Sequence, residues 1–245
     1  MSGPLQLTRA SDGVRVLTIC REKRRNALDN ETIAELMSQL DDAAQDQTAR
    51  VIVITGAGKV AFCAGSDVKA LQDMSHEERV RHTVLGQGLM DAIVAHPCVV
   101  IAAVEGFAVG GGFELALACD LIVASTDAIF GFPEVARGML PAWGGTYRLS
   151  RSVGLLPAKT SILGGRRWTA DDADRLGLLL EVTPPGEAGD RASEIAQGLA
   201  AVSDREAFAI AKSLLNASGH NADPDGQLRE TLGEAIRAAR PDYGA

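Results

Sequence analysis

Residues 104–120 read VEGFAVGGGFELALACD, and the reading of this stretch decides the fold. The apolar run 98–104 (CVVIAAV) leads into it as a buried strand. Gly110, Gly111 and Gly112 then open a short apolar helix with Glu114 in its first turn. The first N–H groups of a helix have no intrahelical partner, so Gly111 and Gly112 offer free donors to an anionic ligand. The absent side chains let that ligand come close to the backbone. Taken alone, Glu114 reads as an acid favoured by the helix dipole. Three glycines in a row exceed what tight helix packing requires.

Two further segments extend the argument. Residues 61–69 (AFCAGSDVK) place Gly65 and Ser66 after a short strand and before a turn of helix that Asp67 can cap. Residues 130–146 (FGFPEVARGMLPAWGGT) place Glu134 after Pro133 amid apolar neighbours. Reactions beside a thioester carbonyl need this kind of equipment. Negative charge develops on the carbonyl oxygen, and two backbone N–H groups can hold it. A proton must also move, and carboxylates in an apolar pocket can carry it.

The rest of the chain alternates strands and helices. Strands are expected at 14–20, 51–55, 61–63, 98–104, 121–124, 129–132 and 178–183. VIVIT at 51–55 is apolar throughout, which fits burial on both faces. A helix through the low thirties to mid-forties has Asn26 and Asp29 as candidate caps. Another runs from the late seventies to His96, where Pro97 stops it. Helices are also expected at 144–152, 155–163 and 170–176, then at 188–201, 204–217 and 226–239 after Pro184, Pro185 and Gly186. This predicts an α/β core over 1–186 and a helical C-terminal region over 187–245.

Composition narrows the function classes. The chain has 245 residues, 46% apolar, with a net charge of −8, so no basic stripe for nucleic acid is expected. No leader or membrane-spanning run is evident, which predicts a cytoplasmic protein without membrane contact. The four cysteines, Cys20, Cys63, Cys98 and Cys119, sit in apolar runs without metal-ligand spacing, and read as buried free thiols. No metal or separate cofactor is expected.

Two rival motifs are present. Gly56-Ala57-Gly58-Lys59-Val60-Ala61 matches G-x-G-x-x-A after a strand, with Glu77 about twenty residues on. Gly65 follows too soon for the long crossover helix a dinucleotide site needs. A serine hydrolase could pair Ser66 with His76, His82 or His96, but no G-x-S-x-G elbow surrounds Ser66, and the histidines sit in ordinary helical or loop contexts.

The three central segments, in this order and spacing, resemble the crotonase (enoyl-CoA hydratase/isomerase) family. AFCAGSDVK resembles its A-F-(A/C)-A-G-x-D-(I/V)-K signature, and GFAVGGGFELA its G-x-x-x-G-G-G-x-E-L-A signature. FGFPE with GMLPAWGGTYRL resembles a third motif, and Asn26-Ala27-Leu28 an early one. The resemblance spans about residues 10–220. It implies a spiral of repeated ββα units with a C-terminal helical trimerisation region, giving a homotrimer or a hexamer made of two trimers. It implies an acyl-CoA substrate, with coenzyme A belonging to the substrate. Ser66 and Gly111 would supply the oxyanion-hole N–H groups, and Glu114 and Glu134 the catalytic carboxylates. Ala64, Ser66, Asp67, Val68, Lys69, Gly110, Ala142 and Trp143 would contact substrate or CoA, with Arg24 near the CoA phosphates. Ala142 stands where typical hydratases have glycine. The C-terminal part is shorter than the family's usual by roughly a helix, and the tail RAARPDY at 237–243 would stand in for its basic, aromatic end. Two glutamates suit reversible hydration of a trans-2-enoyl-CoA to a 3-hydroxyacyl-CoA. An isomerase, another acyl-CoA reaction, and a non-catalytic acyl-CoA binder remain the alternatives.

Overall fold

Fully apolar runs become the central strands of the protein, because they are covered on both sides. The computed structural model describes residues 3–11, 13–202 and 204–217. The expected helix at 226–239 and the tail at 237–243 lie outside them. In chain order the elements are β1 (Leu5–Ser11), β2 (Val14–Ile19), α1 (Asn30–Gln45), β3 (Val51–Gly56), β4 (Ala61–Cys63), α2 (Val68–Gln72), α3 (His76–Val94), β5 (Val99–Val104) and β6 (Phe107–Val109). There follow α4 (Gly111–Ala118), β7 (Leu121–Ser125), β8 (Ile129–Gly131), α5 (Gly145–Val153), α6 (Leu155–Ile162), β9 (Trp168–Thr169), α7 (Ala170–Arg175), β10 (Glu181–Thr183), α8 (Ala188–Val202) and α9 (Arg205–Ala217).

A six-stranded sheet has the order β1-β2-β3-β5-β7-β10, and a four-stranded sheet the order β4-β6-β8-β9. Each of β3, β5 and β7 in the first sheet is followed by a strand of the second sheet and then by helix. This is the repeated ββα progression. Along β3, Ile52 and Ile54 face one core, while Val51 and Val53 face another. The first core lies under α1, α3 and α4; the second is covered by Ala188, Ala192 and Ala196 of α8. The small side chains let α8 lie close to the sheet.

The strands depart from the sequence reading in two places, and the rejected dinucleotide motif is as expected. LQLTRAS was not read as a strand, yet it forms the antiparallel edge β1 against β2. Among the described side chains of that edge only Leu5 is a buried apolar one, so the usual pattern is weak. The last strand begins at Glu181 rather than residue 178. After Gly56 the chain turns into β4 and no helix begins there, so the dinucleotide motif lacks its phosphate-binding helix. Glu77 is an exposed partner of Arg81 on α3. Among the cysteines, Cys63 and Cys98 are buried, whereas Cys20 and Cys119 are only partly so; all four are free.

Asn26 is not a cap but a buried staple. Its backbone is left-handed (φ 55°), which asparagine tolerates better than most residues. Its amide nitrogen donates to the carbonyls of Ala57 (3.0 Å) and Ala61 (2.7 Å), and its oxygen accepts from Arg21 N (3.0 Å). Asp29 caps α1 instead, accepting from Thr32 N at 2.9 Å. The turn delivers Leu28 alongside Ser66, where Leu28 N donates to Gly65 O (2.8 Å) and Asp67 N to Leu28 O (2.9 Å). Asn26→Ala should therefore cost about 3 kcal/mol, since it orphans buried carbonyls and places alanine at positive φ. Urea unfolding checks this through a lower midpoint at unchanged slope.

Candidate active site

The pairing with Leu28 uses Gly65 O and Asp67 N, so the Ser66 N–H points to the other side of its strand. On that side the segment meets the start of α4. A Cβ added at Gly65 would lie 2.6 Å from Gly111 N and 3.0 Å from Val109 O. Gly65 also has φ 82°, which a side chain would strain. A Cβ at Gly112 would run into the Cys63 carbonyl. Glycine at these positions is therefore what lets the two N–H-bearing segments touch.

A cavity of about 450 Å³ opens at this junction. Ala64, Ser66, Val68, Gly110, Gly111, Glu114, Glu134, Ala142 and Trp143 all line it, so most of the sequence-predicted site converges. A larger hollow, about 970 Å³, lies among α4, α5 and α9. Among its charged groups, Lys212 pairs with Asp120 (2.8 Å) and Arg148 with Asp91 (3.0 Å), and Arg151 donates to Asn216 O (3.2 Å). That is the signature of a structural seam rather than a reaction site.

Three predicted contacts are not part of the cavity. Asp67 is buried and caps α2, accepting from Lys69 N and Ala70 N, and it pairs with Arg21 at 3.0 Å. Its acceptor capacity is taken by the protein, which corrects its reading as a substrate contact. Lys69 and Arg24 are exposed on the surface away from the cavity lining.

Glu114 is almost fully buried on α4. Its Oε1 accepts from the backbone N–H groups of Trp143 and Gly145, each at 2.7 Å. The carbonyl of Ala142, next to Trp143, accepts from Gln87 (2.8 Å). Burial pushes the Glu114 carboxyl up to about 7, the Glu134 charge adds to the rise, and the two N–H donors and Arg148 oppose it. Glu134 follows β8 at the head of a single 3-10 turn, Val135–Arg137. Burial raises its pKa too, against the opposing pull of its own backbone N–H and of Arg137. Its Oε1 lies against Gly110, where a Cβ would come within 2.6 Å, and its Oε2 is buried without a hydrogen-bond partner among the described residues.

Trp143 is the wall of the cavity and also part of the core. Its indole occupies the space left free at Gly86 and Gly111, where any Cβ would collide with the ring. The sequence reading named His82 as one possible partner of Ser66 but set the pairing aside for want of a local motif. From α3 His82 lines the cavity, its ring centroid 5.4 Å from that of Trp143. Its Nε2 lies 3.0 Å from Ser66 Oγ and its Nδ1 lies 2.6 Å from Asn30 Oδ1. The ordinary helical context assigned to it is thereby corrected. No local motif links residues 16 positions apart; only the folding-back of α3 joins them. His76 is exposed at the start of α3, and His96 is held by Leu40 O (2.9 Å) and Cys98 N (3.0 Å), so neither reaches Ser66.

The arrangement presents two raised carboxyls and, among the described residues, two backbone N–H groups without a backbone partner to one cavity. That suits stabilising an oxyanion while shuttling a proton on the adjacent carbons. Among the described residues no cluster of metal-ligating side chains occurs, and no helix is long and apolar enough to cross a membrane.

Comparison with known proteins gives concordant matches. The family model described as Enoyl-CoA hydratase/isomerase matches residues 9–231. The chain is 42% identical over 188 residues to the human protein named Enoyl-CoA hydratase domain-containing protein 2, mitochondrial, covering 77% of this chain and 64% of that one. It thus spans just under two thirds of that relative's length. It is 40% identical over 183 residues to the short-chain-enoyl-CoA hydratase of Clostridium acetobutylicum, covering 75% of this chain and 70% of that one. The crystal structure of an enoyl-CoA hydratase from Bacillus anthracis superimposes with a TM-score of 0.93 at 32% identity, over 98% of this chain and 92% of that one.

The titration of Glu114 follows from its surroundings. Its carboxyl 13C resonance should titrate with a midpoint about 7, and Glu134→Gln should lower that midpoint by removing a like charge. Folded-state affinity for the proton exceeds that of the unfolded chain. Ionising Glu114 therefore removes stability as pH rises from 4.5 to about 7, by about 3 kcal/mol in all.

Proposed function

The chain belongs to the enoyl-CoA hydratase/isomerase family, and from that membership we propose that it is an enoyl-CoA hydratase, adding water reversibly to a trans-2-enoyl-CoA to give a 3-hydroxyacyl-CoA. The observation that carries this reading is the convergence of both Glu114 and Glu134 on the cavity beside Ser66 and Gly111. A single carboxyl would suffice to shift a double bond. Hydration needs two groups, one taking a proton from water and one giving a proton to the α-carbon.

The thioester oxygen is received by the N–H groups of Ser66 and Gly111, the latter at the N-terminus of α4. With Oε1 fixed by Trp143 and Gly145, Glu114 turns its remaining oxygen to the water. A midpoint about 7 makes Glu114 close to half-protonated at neutrality, so it can run as base in one direction and acid in the other. Glu134, raised by burial and short of partners, serves as the complementary group. Val68, Leu71, Met139 and Leu140 line the same cavity and suit the pantetheine and acyl chain. Arg24 and Lys69, exposed outside it, are then left for the nucleotide end of CoA. A homotrimer or a dimer of trimers is the assembly proposed, and exposed Leu155, Leu156 and Leu163 on and just after α6 are consistent with further burial.

Glu114→Gln and Glu134→Gln should each lower kcat for crotonyl-CoA hydration by ~10²–10⁴-fold with little change in KM. Loss of the enoyl-thioester absorbance follows the reaction. Conversion of a 3-enoyl-CoA without hydration of crotonyl-CoA would instead identify an isomerase.

A further inference from the structure

The hydroxyl of Ser66 has no task in hydration, which uses only its backbone N–H. Yet that hydroxyl is held. It lies 3.0 Å from His82 Nε2, and His82 Nδ1 lies 2.6 Å from Asn30 Oδ1. The three residues come from three places: the loop after β4, the second turn of α3 and the first residue of α1. The carboxamide oxygen of Asn30 accepts, so the imidazole proton sits on Nδ1 and Nε2 is left to accept from Ser66. His82 is buried, and burial lowers its pKa against the opposing pull of Asp29, which favours the neutral base. Serine, base and orienting group in this geometry form an activated nucleophile.

We propose that Ser66, His82 and Asn30 hydrolyse acyl-CoA thioesters in this cavity, as a second activity beside hydration. The inference rests on the acyl-CoA reading of the cavity. Ser66 Oγ adds to the thioester carbonyl carbon as its proton passes to His82 Nε2. The resulting oxyanion is held by the N–H groups of Ser66 and Gly111, a nucleophile sharing in its own oxyanion hole. Collapse breaks the C–S bond, and the thiol of CoA leaves with the proton from His82. The acyl group is now an ester on Ser66. Water gives a proton to His82 and adds to the ester carbonyl. The bond to Ser66 Oγ then breaks, and His82 returns the proton to Ser66. The products are a carboxylic acid and free CoA, with no redox change. Ser66 and His82 are catalytic residues in this scheme, and Asn30 is a positioning residue.

Butyryl-CoA separates the two activities, because it has no double bond to hydrate. The full chain should release thiol from butyryl-CoA, read with a chromogenic disulfide, while crotonyl-CoA hydration is measured in parallel. Ser66→Ala and His82→Ala should each lower thiol release about 100-fold. Asn30→Ala should lower kcat for thiol release about 10-fold while crotonyl-CoA hydration by the same preparation is retained, a split that general loosening of the fold would not give. Acid quenching of the wild-type protein within the first turnover should leave a butyryl group on the peptide containing Ser66, a readout that needs no variant to fold. Hydration with thiol release that is absent, or unchanged in Ser66→Ala, overturns the triad and spares the hydratase reading. Thiol release without hydration supports the triad and overturns that reading. Absence of both overturns both.

Discussion

Everything at the site depends on how closely two backbone segments approach, at Gly65 and Gly111. A side chain at Gly65 would press on the Gly111 nitrogen, and one at Gly111 would strike the Trp143 indole. This contact fixes the separation of the two N–H donors more firmly than any side-chain interaction could. It is backed from behind by Asn26, whose three hydrogen bonds hold the turn that aligns Leu28 with Ser66. It is backed from below by α4, where seven residues including Glu114 are buried. The donors thus sit on rigid elements, and the cost of organising them is met during folding rather than at the moment of reaction.

The buried acids divide by what satisfies them. Glu105 has both oxygens occupied by backbone donors, Gly186 N (2.9 Å) and Ala188 N (2.8 Å), and so fixes the start of α8. Asp67 is consumed by the cap of α2 and by Arg21. Glu114 has one oxygen satisfied, and Glu134 keeps a buried oxygen without a partner among the described residues. Leaving a buried acceptor unpaired costs about 1–3 kcal/mol. Such a cost is retained where a ligand or a water completes the bond. Incomplete satisfaction, more than burial, therefore separates the acids proposed to act from those that hold the fold.

The sequence made much of this legible because the relevant constraints are local. Gly110–Gly112 before an apolar octet specify a buried helix with exposed donors at its head. The parallel strands are legible as apolar runs without alternation, which only a sheet covered on both faces accommodates. Glu114 and Glu134 were identifiable from their flanking motifs. What escaped were features set by tertiary contact. Asp67 reads the same whether it faces a ligand or its own helix, and only its pairing with Arg21 distinguishes the cases. β1 carries a mixed polar sequence because an edge strand needs little burial. His82 lies in a helix whose sequence shows no clean apolar stripe, so nothing marked its inward direction.

The inward turn of His82 bears on how one cavity could support two reactions. Burial pushes the Glu114 and Glu134 carboxyls up and the His82 imidazole down, so the same cause favours the uncharged form of all three. Each group then gives or takes a proton without leaving a charge stranded in an apolar space. Their partners set which atom each can reach. Glu114 is anchored to the loop carrying Trp143, Glu134 lies against Gly110, and His82 is turned by Asn30 toward Ser66. In the two proposed reactions the carboxyls would address the carbons beside the carbonyl, and the imidazole the Ser66 hydroxyl, 3.0 Å from its Nε2. One pair of backbone donors would serve both, because hydration and hydrolysis each begin by placing negative charge on the same oxygen. Which bond changes would then depend on which neighbour moves its proton first.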